Sequence, residues 1–159
     1  MADQEFHKMV DHPIIQEKWE PKVGDHFVYI DAAFPFYCCV VSHNHLDKPT
    51  NGSCFYCRYN YSTFQKILAF TKSGKKDSLT GRFIWLPRLD QLLKMQLGNK
   101  WFFNCLALES ALKPLWIVTI YHISGEKFYP ESDKPETAMI KAIMHTHGLE
   151  RVDGEWRKI

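Results

Sequence analysis

The fold of this chain is decided above all by the stretch Phe83-Ile84-Trp85-Leu86-Pro87-Arg88-Leu89-Asp90-Gln91-Leu92-Leu93-Lys94-Met95. Its first four residues are large and apolar and predict a strand. Pro87 ends that strand and suits the first position of a helix, and Asp90 stands where the helix dipole favours an acid. The leucines that follow share one helical face. The stretch therefore predicts a strand that passes directly into a helix.

The patterns on both sides of this junction predict further strands and helices. The predicted strands are centred on Phe27, Tyr37, Phe83 and Val118. The predicted helices are centred on Leu92, Leu106 and Ile143, and the second covers residues 101–113. Residues 56–70 fit a helix by spacing and a strand by aromatic content, so both remain open. The expected fold is α+β, with a mostly antiparallel sheet packed against about three helices.

Length and composition favour one globular domain. The chain has 159 residues, of which 45% are hydrophobic and 14% aromatic, enough to build a core. We expect an N-terminal tether over residues 1–18 and a single α+β domain over 19–159, with an inserted basic and aromatic region at about 43–81. The N-terminus lacks the apolar segment of a leader, and no apolar run could span a membrane. A cytoplasmic protein without membrane partners is expected.

The net charge of +2 gives no strong general attraction to nucleic acid or membranes, but one segment is locally basic. Residues 58–88 contain a single acid, Asp77, and interleave lysine and arginine with aromatic residues. This mixture suits phosphate pairing and base stacking, although charge runs are usually solvated surfaces, so lysines that solvate a loop and aromatics that fill a core also explain it. The predicted ligand-binding residues are Lys75, Lys76, Arg82, Trp85 and Arg88.

A second pattern is typical of zinc sites. His43 and His45 precede Cys54 and Cys57, which have the spacing of paired metal ligands. Four such side chains could hold a structural zinc ion, and they would leave no open position for catalysis. The alternative is that all four are ordinary side chains without a metal, because short metal motifs often arise by chance. No other cofactor is expected.

Three segments together resemble small uncharacterised proteins of phages and prophages in Gram-positive bacteria. They are Trp19-x-Pro-x-x-Gly-Asp-x-Phe27, the run Trp85-Leu-Pro-Arg-Leu-Asp-Gln-Leu-Leu-Lys-Met95, and the ending from Glu136-Thr-Ala to Trp156. The likeness covers about half of the chain, in pieces. It implies a class of accessory proteins in the host cytoplasm that act by binding, including antagonists of host defence. It implies no particular functional residue.

The expected function is therefore that of a non-enzymatic, phage-type accessory protein. It would antagonise a host protein or sequester a small anionic, nucleotide-like ligand, with a homo-oligomer as one option. Catalysis is not expected because the sequence has neither a nucleophile elbow nor a glycine-rich phosphate loop. The alternatives are a module that binds single-stranded nucleic acid and a small structural-zinc protein.

Overall fold

The computed structural model describes residues 4–30, 35–41, 46, 61–73, 81–95, 97–98, 100–110 and 112–159. The contacts divide the chain into two compact units, Met1–Pro87 and Arg88–Ile159. Both combine helices with antiparallel strands. The predicted α+β class is therefore confirmed. The chain passes from the first unit to the second at the proline of the predicted strand-to-helix junction.

The first unit is built on a three-stranded antiparallel sheet with the order β2-β1-β3. Its strands are β1 (His26–Ile30), β2 (Pro35–Val40) and β3 (Arg82–Leu86). The helices among its described residues are α1 (Gln4–Val10), α2 (Pro13–Gln16) and α3 (Tyr61–Lys72). Phe27 in the central strand lies opposite Cys39 on one side and Trp85 on the other. The predicted strands around Phe27, Tyr37 and Phe83 are confirmed.

An aromatic cluster forms the core of this unit. Phe64 of α3 contacts Phe27 and Phe83, with ring centroids 5.6 and 5.0 Å apart, and meets Trp19 edge to face at 6.3 Å. The rings of Trp19 and Trp85 lie nearly parallel at 6.4 Å. All five side chains are buried. Phe64 therefore serves the core from a helix, which resolves the open choice for residues 61–70, whereas residues 56–60 lie outside the described residues.

The N-terminal residues differ from the expected tether. Met9, Val10 and Ile15 are buried, and Gln16 uses its side chain to bond the backbone of β3. Pro13 occupies the first turn of α2, and the His12 side chain accepts a hydrogen bond from the Ile14 amide at its start. Met9, Val10 and Ile15, which stand among polar residues in the sequence, thus belong to the core.

Asp25 ties the entry of β1 to Trp19. Its carboxylate accepts hydrogen bonds from the indole N–H of Trp19 at 3.1 Å and from the backbone N–H of Lys22 at 2.9 Å, and the residue is buried. Asp25→Ala should lower the free energy of unfolding by about 1–3 kcal/mol, because a buried donor loses its partner. Urea unfolding followed by tryptophan fluorescence measures this. Asp25→Asn should lose less, and equal stability of the alanine variant and the wild type would contradict the assignment.

The second unit contains a four-stranded antiparallel sheet, two helices and a terminal hairpin. The sheet follows the order β4-β5-β6, and β7 also pairs with β5. Its strands are β4 (Trp101–Ser110), β5 (Leu115–His122), β6 (Lys127–Phe128) and β7 (Glu131–Ser132). The remaining elements are α4 (Leu89–Leu92), α5 (Pro135–Thr146), β8 (Leu149–Val152) and β9 (Glu155–Lys158). Helix α5 packs against β5.

Several predicted elements of this unit are confirmed. Pro135 opens α5, whereas helix α4 begins at Leu89, so Pro87 precedes this helix instead of taking its predicted first position. The hairpin β8–β9 turns at Asp153 and Gly154, both with positive φ, as in the two-residue turns that fit the twist of paired strands. The predicted helix over residues 101–113 is wrong, because residues 101–110 form β4 and residues 112–113 lie in the turn that follows. The strand around Val118 pairs with β4, β6 and β7 instead of joining the sheet around Phe27.

Candidate binding surface

One face of the β4–β5 pair carries exposed apolar side chains. Residues directly opposite in an antiparallel pair point to the same face. The pairing therefore places Phe102 beside Tyr121, Cys105 beside Thr119, and Ala107 beside Ile117. These six residues define the open face. Phe102 and Tyr121 stack with ring centroids 5.5 Å apart, yet they remain 45% and 42% exposed.

The opposite face of the sheet is covered by α5. Val118 and Ile120 of β5 point to this side and are buried. Phe128 pairs with Ile120 and stacks on His145 of α5, with ring centroids 3.7 Å apart and planes inclined by 10°. The ring of Trp101 meets His145 edge to face at 5.3 Å. Helix α5 therefore covers one side of the sheet, and the open face is the other side.

Charged residues lie at the margin of the open face away from β4. Lys127 of β6 is opposite Tyr121, and Glu131 of β7 is opposite Ile117, so both share that face. Both side chains are exposed. The face therefore passes from a charged margin to an apolar surface on β4 and β5. An apolar surface with a polar rim is the arrangement found where proteins bind each other.

His145 of α5 is a titratable group that packs against two aromatic rings. Its packing against Phe128 and Trp101 removes water, and this desolvation lowers the pKa of His145 from its ordinary value, while the nearby acids Glu126 and Glu150 act in the opposite direction. Loss of water around the ring disfavours the charged imidazolium. The folded state therefore favours the neutral form of His145 more than the unfolded chain does.

Stability should consequently fall as the pH drops. The unfolded chain takes up a proton at the ordinary histidine pKa, before His145 does so in the folded state. The free energy of unfolding should decrease from pH 8 to pH 5.5 in wild type, and less in His145→Gln. Urea unfolding at both pH values measures the difference. An identical pH dependence in the two proteins would contradict this prediction.

The structure places the residues predicted to bind an anion in separate environments. Arg82 forms a bidentate ion pair with Asp11, which lies between α1 and α2. Trp85 is buried in the aromatic cluster and lies against Trp19. Arg88 is exposed beside Asp90, with 3.1 Å between Nε and the carboxylate, and its hydrogen bond lowers the pKa of Asp90. Lys75 and Lys76 lie outside the described residues.

The predicted zinc ligands also lie outside the described residues, namely His43, His45, Cys54 and Cys57. Among the side chains that the structure describes, no three His, Cys, Asp or Glu residues are grouped as a metal site would require. The zinc hypothesis therefore stays a prediction about a segment of the chain that this description does not cover.

Sequence reasoning missed the open face because it assigned β4 to a helix. The register shifts between Phe103 and Cys105, where Asn104 is the extra residue of a β-bulge. Inward positions consequently fall at 101, 103, 106 and 108, so the strict alternation typical of strands is broken. The surviving signal was the aromatic triplet at the start of the strand, which favours strand over helix.

Comparison with protein-family models, with curated proteins and with solved structures found no significant match to this chain. Within the described ranges, every helix is too short or too polar to cross a bilayer.

Proposed function

We propose that this chain is a non-enzymatic accessory protein of the phage type that acts by binding a host protein through the open face. The observation that carries this proposal is the stacked but exposed pair of Phe102 and Tyr121. Aromatic side chains held in fixed positions are the residues that contribute most to protein interfaces. A partner that covered them would bury apolar area that is in contact with water in the isolated chain.

The geometry favours a protein partner over a small anion. A phosphate-like ligand needs arginines available for bidentate pairing, whereas Arg82 is paired with Asp11 and Arg88 with Asp90. Base stacking needs accessible rings, whereas Phe64, Phe83 and Trp85 are buried. The open face instead offers rings together with the uncharged Cys105, Ala107 and Thr119. Lys127 and Glu131 lie at its margin. They would orient a partner protein whose apolar patch has an acidic residue opposite Lys127 and a basic residue opposite Glu131.

The test is site-specific photocrosslinking followed by a binding measurement. A photoreactive phenylalanine analogue at position 102 should crosslink one protein in a lysate of a Gram-positive host. The same analogue at Leu112, which is fully exposed in the turn after β4, serves as control and should not crosslink it. The identified protein is then purified, and its affinity for the wild-type chain is measured by calorimetry.

Tyr121→Ala should weaken that affinity at least tenfold, because truncation of an aromatic side chain that anchors an interface costs about 2 kcal/mol or more, and about 1.4 kcal/mol corresponds to tenfold. Leu112→Ala should leave it unchanged. Crosslinking that is no stronger from position 102 than from position 112, or an affinity indifferent to Tyr121→Ala, would overturn the proposal.

A further inference from the structure

The strands β6 and β7 pair with β5 in the same register, so they act as two pieces of one strand. Between them, the carbonyl oxygen of the buried Pro130 accepts a hydrogen bond from the backbone N–H of Val118 at 3.0 Å. Tyr129 therefore falls opposite Thr119 and shares the open face. Its side chain is 54% exposed. The margin of the open face thus carries a third aromatic ring between its two charged residues.

The open face and its margin consist of three rows, each with one side chain from each of three neighbouring strands. The first row is Phe102, Tyr121 and Lys127, the second is Cys105, Thr119 and Tyr129, and the third is Ala107, Ile117 and Glu131. The first row is bulky and ends in a base, whereas the third row is smaller and ends in an acid. The two outer rows are therefore complementary to each other in size and in charge.

We propose that a second copy of this chain covers the open face, with the two sheets packed face to face around a two-fold axis along the second row. Such a rotation sets the first row of each copy against the third row of the other. Phe102 would then pack over Ala107 of the second copy, and Lys127 would face Glu131, each twice by symmetry. Large side chains would meet small ones, and each charge would meet its opposite.

Charge disfavours a two-fold axis that runs along the strands. That axis would set the margin of one copy over β4 of the other. Lys127 would then lose water against Phe102, and Glu131 against Ala107, without an opposite charge from the second copy. Removing a charge from water without a partner is costly. Of these two arrangements, the one with its axis along the second row is therefore the one that the sequence of the face matches.

The size of the face predicts a weak dimer that can be displaced. Three rows on three strands cover about 20 Å by 14 Å, well below the area of a standard stable interface. A second copy in this position would hide Phe102 and Tyr121, so a host protein would have to compete with it. Self-association would therefore regulate access to the open face. This regulatory part of the inference rests on the proposed function, whereas the dimer itself is measured with the purified chain alone.

The first test is a charge exchange followed by sedimentation equilibrium of the full chain at low ionic strength. Wild type should show a monomer–dimer equilibrium between micromolar and submillimolar concentrations. Lys127→Glu and Glu131→Lys should each weaken the dimer about fivefold to tenfold, since each turns two attractive pairs into repulsive ones. The double variant should recover the wild-type affinity, which a general loss of folding cannot produce. Lys158→Glu, at an exposed position in β9, is the matched control and should have no effect.

The second test locates the axis by crosslinking. Cys105 is an exposed free cysteine in the second row, so its two copies should face each other across sheets about 10 Å apart. A short bismaleimide should link two wild-type chains, and Cys105→Ser should abolish this link. An excess of the host protein identified from position 102 should suppress the link, because both occupy the same face.

The outcomes separate the dimer from the proposed function. A wild-type chain that stays monomeric at submillimolar concentration, or a dimer that the double charge variant fails to restore, would refute the dimer and leave host binding intact. A link that persists in Cys105→Ser would place the contact elsewhere and refute it as well. A host protein that binds without suppressing the link would refute the regulation. Failure to find any host protein would count against the proposed function and the regulation, but not against the dimer.

Discussion

Phe64→Ala is expected to lower the free energy of unfolding by about 3–5 kcal/mol, the range for truncation of a fully buried phenylalanine. Phe64 is completely buried and contacts three other aromatic rings, those of Trp19, Phe27 and Phe83. Its loss removes the main side chain by which α3 joins the sheet, and the surrounding large rings are poorly placed to fill the gap. Such a loss is a large part of the total stability of a domain.

Urea unfolding followed by tryptophan fluorescence measures the effect, because Trp19 lies in the same cluster. Phe64→Leu retains most of the volume and should cost less. Lys66→Ala, on the exposed side of α3, is the control and should change stability by no more than about 0.5 kcal/mol. A loss below about 1 kcal/mol for Phe64→Ala would show that α3 is not anchored through this ring.

Local patterns predicted those elements whose signals agree with one another. In β3 and α4, apolar residues, a proline and a first-turn acid all indicate the same junction, and the structure has it. In α5, Pro135 and a regular apolar stripe do the same. For α3, aromatic content opposed helical spacing, and packing against the sheet decided the result. Tertiary contacts of this kind are not visible in a local window of sequence.

The open face depends on the β-bulge at Asn104, which cannot be predicted from the sequence pattern of one strand. A bulge is a property of a strand together with its neighbour, so Asn104 has no signal in the sequence of β4 alone. It changed the spacing of the inward residues and so removed the alternation that identifies a strand. The open face was therefore missed together with the strand, although its aromatic residues were plain in the sequence.

The predicted anion-binding residues Arg82 and Trp85 contact residues that are distant in the sequence. Arg82 has a guanidinium suited to phosphate, but Asp11, which is 71 residues away in the chain, pairs with it. Trp85 has an aromatic ring suited to stacking, but Trp19 lies against it. Residue type gives the chemistry that a side chain can perform. Only the fold determines whether the side chain is already engaged.

Gln16 lies in the segment that was predicted to be a tether, yet its side chain bonds to the sheet as a strand would. Its side-chain amide donates hydrogen bonds to the carbonyl oxygens of Val10 at 2.8 Å and Trp85 at 3.1 Å. Its side-chain oxygen accepts one from the backbone N–H of Trp85 at 2.8 Å. β3 is the last strand of its sheet among the described residues. Gln16 therefore gives Trp85 the pair of bonds that a neighbouring strand would supply.

Gln16→Met should lower the free energy of unfolding by about 3 kcal/mol. Methionine keeps the length of the side chain but leaves buried backbone groups without partners, at about 1–3 kcal/mol for each group. Urea unfolding gives the total, and amide hydrogen exchange gives the location, since protection of the Trp85 N–H should fall more than that of other strand residues. Glu17→Met, next in the chain and exposed, is the matched control and should leave both measurements near wild type. If Trp85 kept its protection in Gln16→Met, the N-terminal segment would not be a structural part of the sheet.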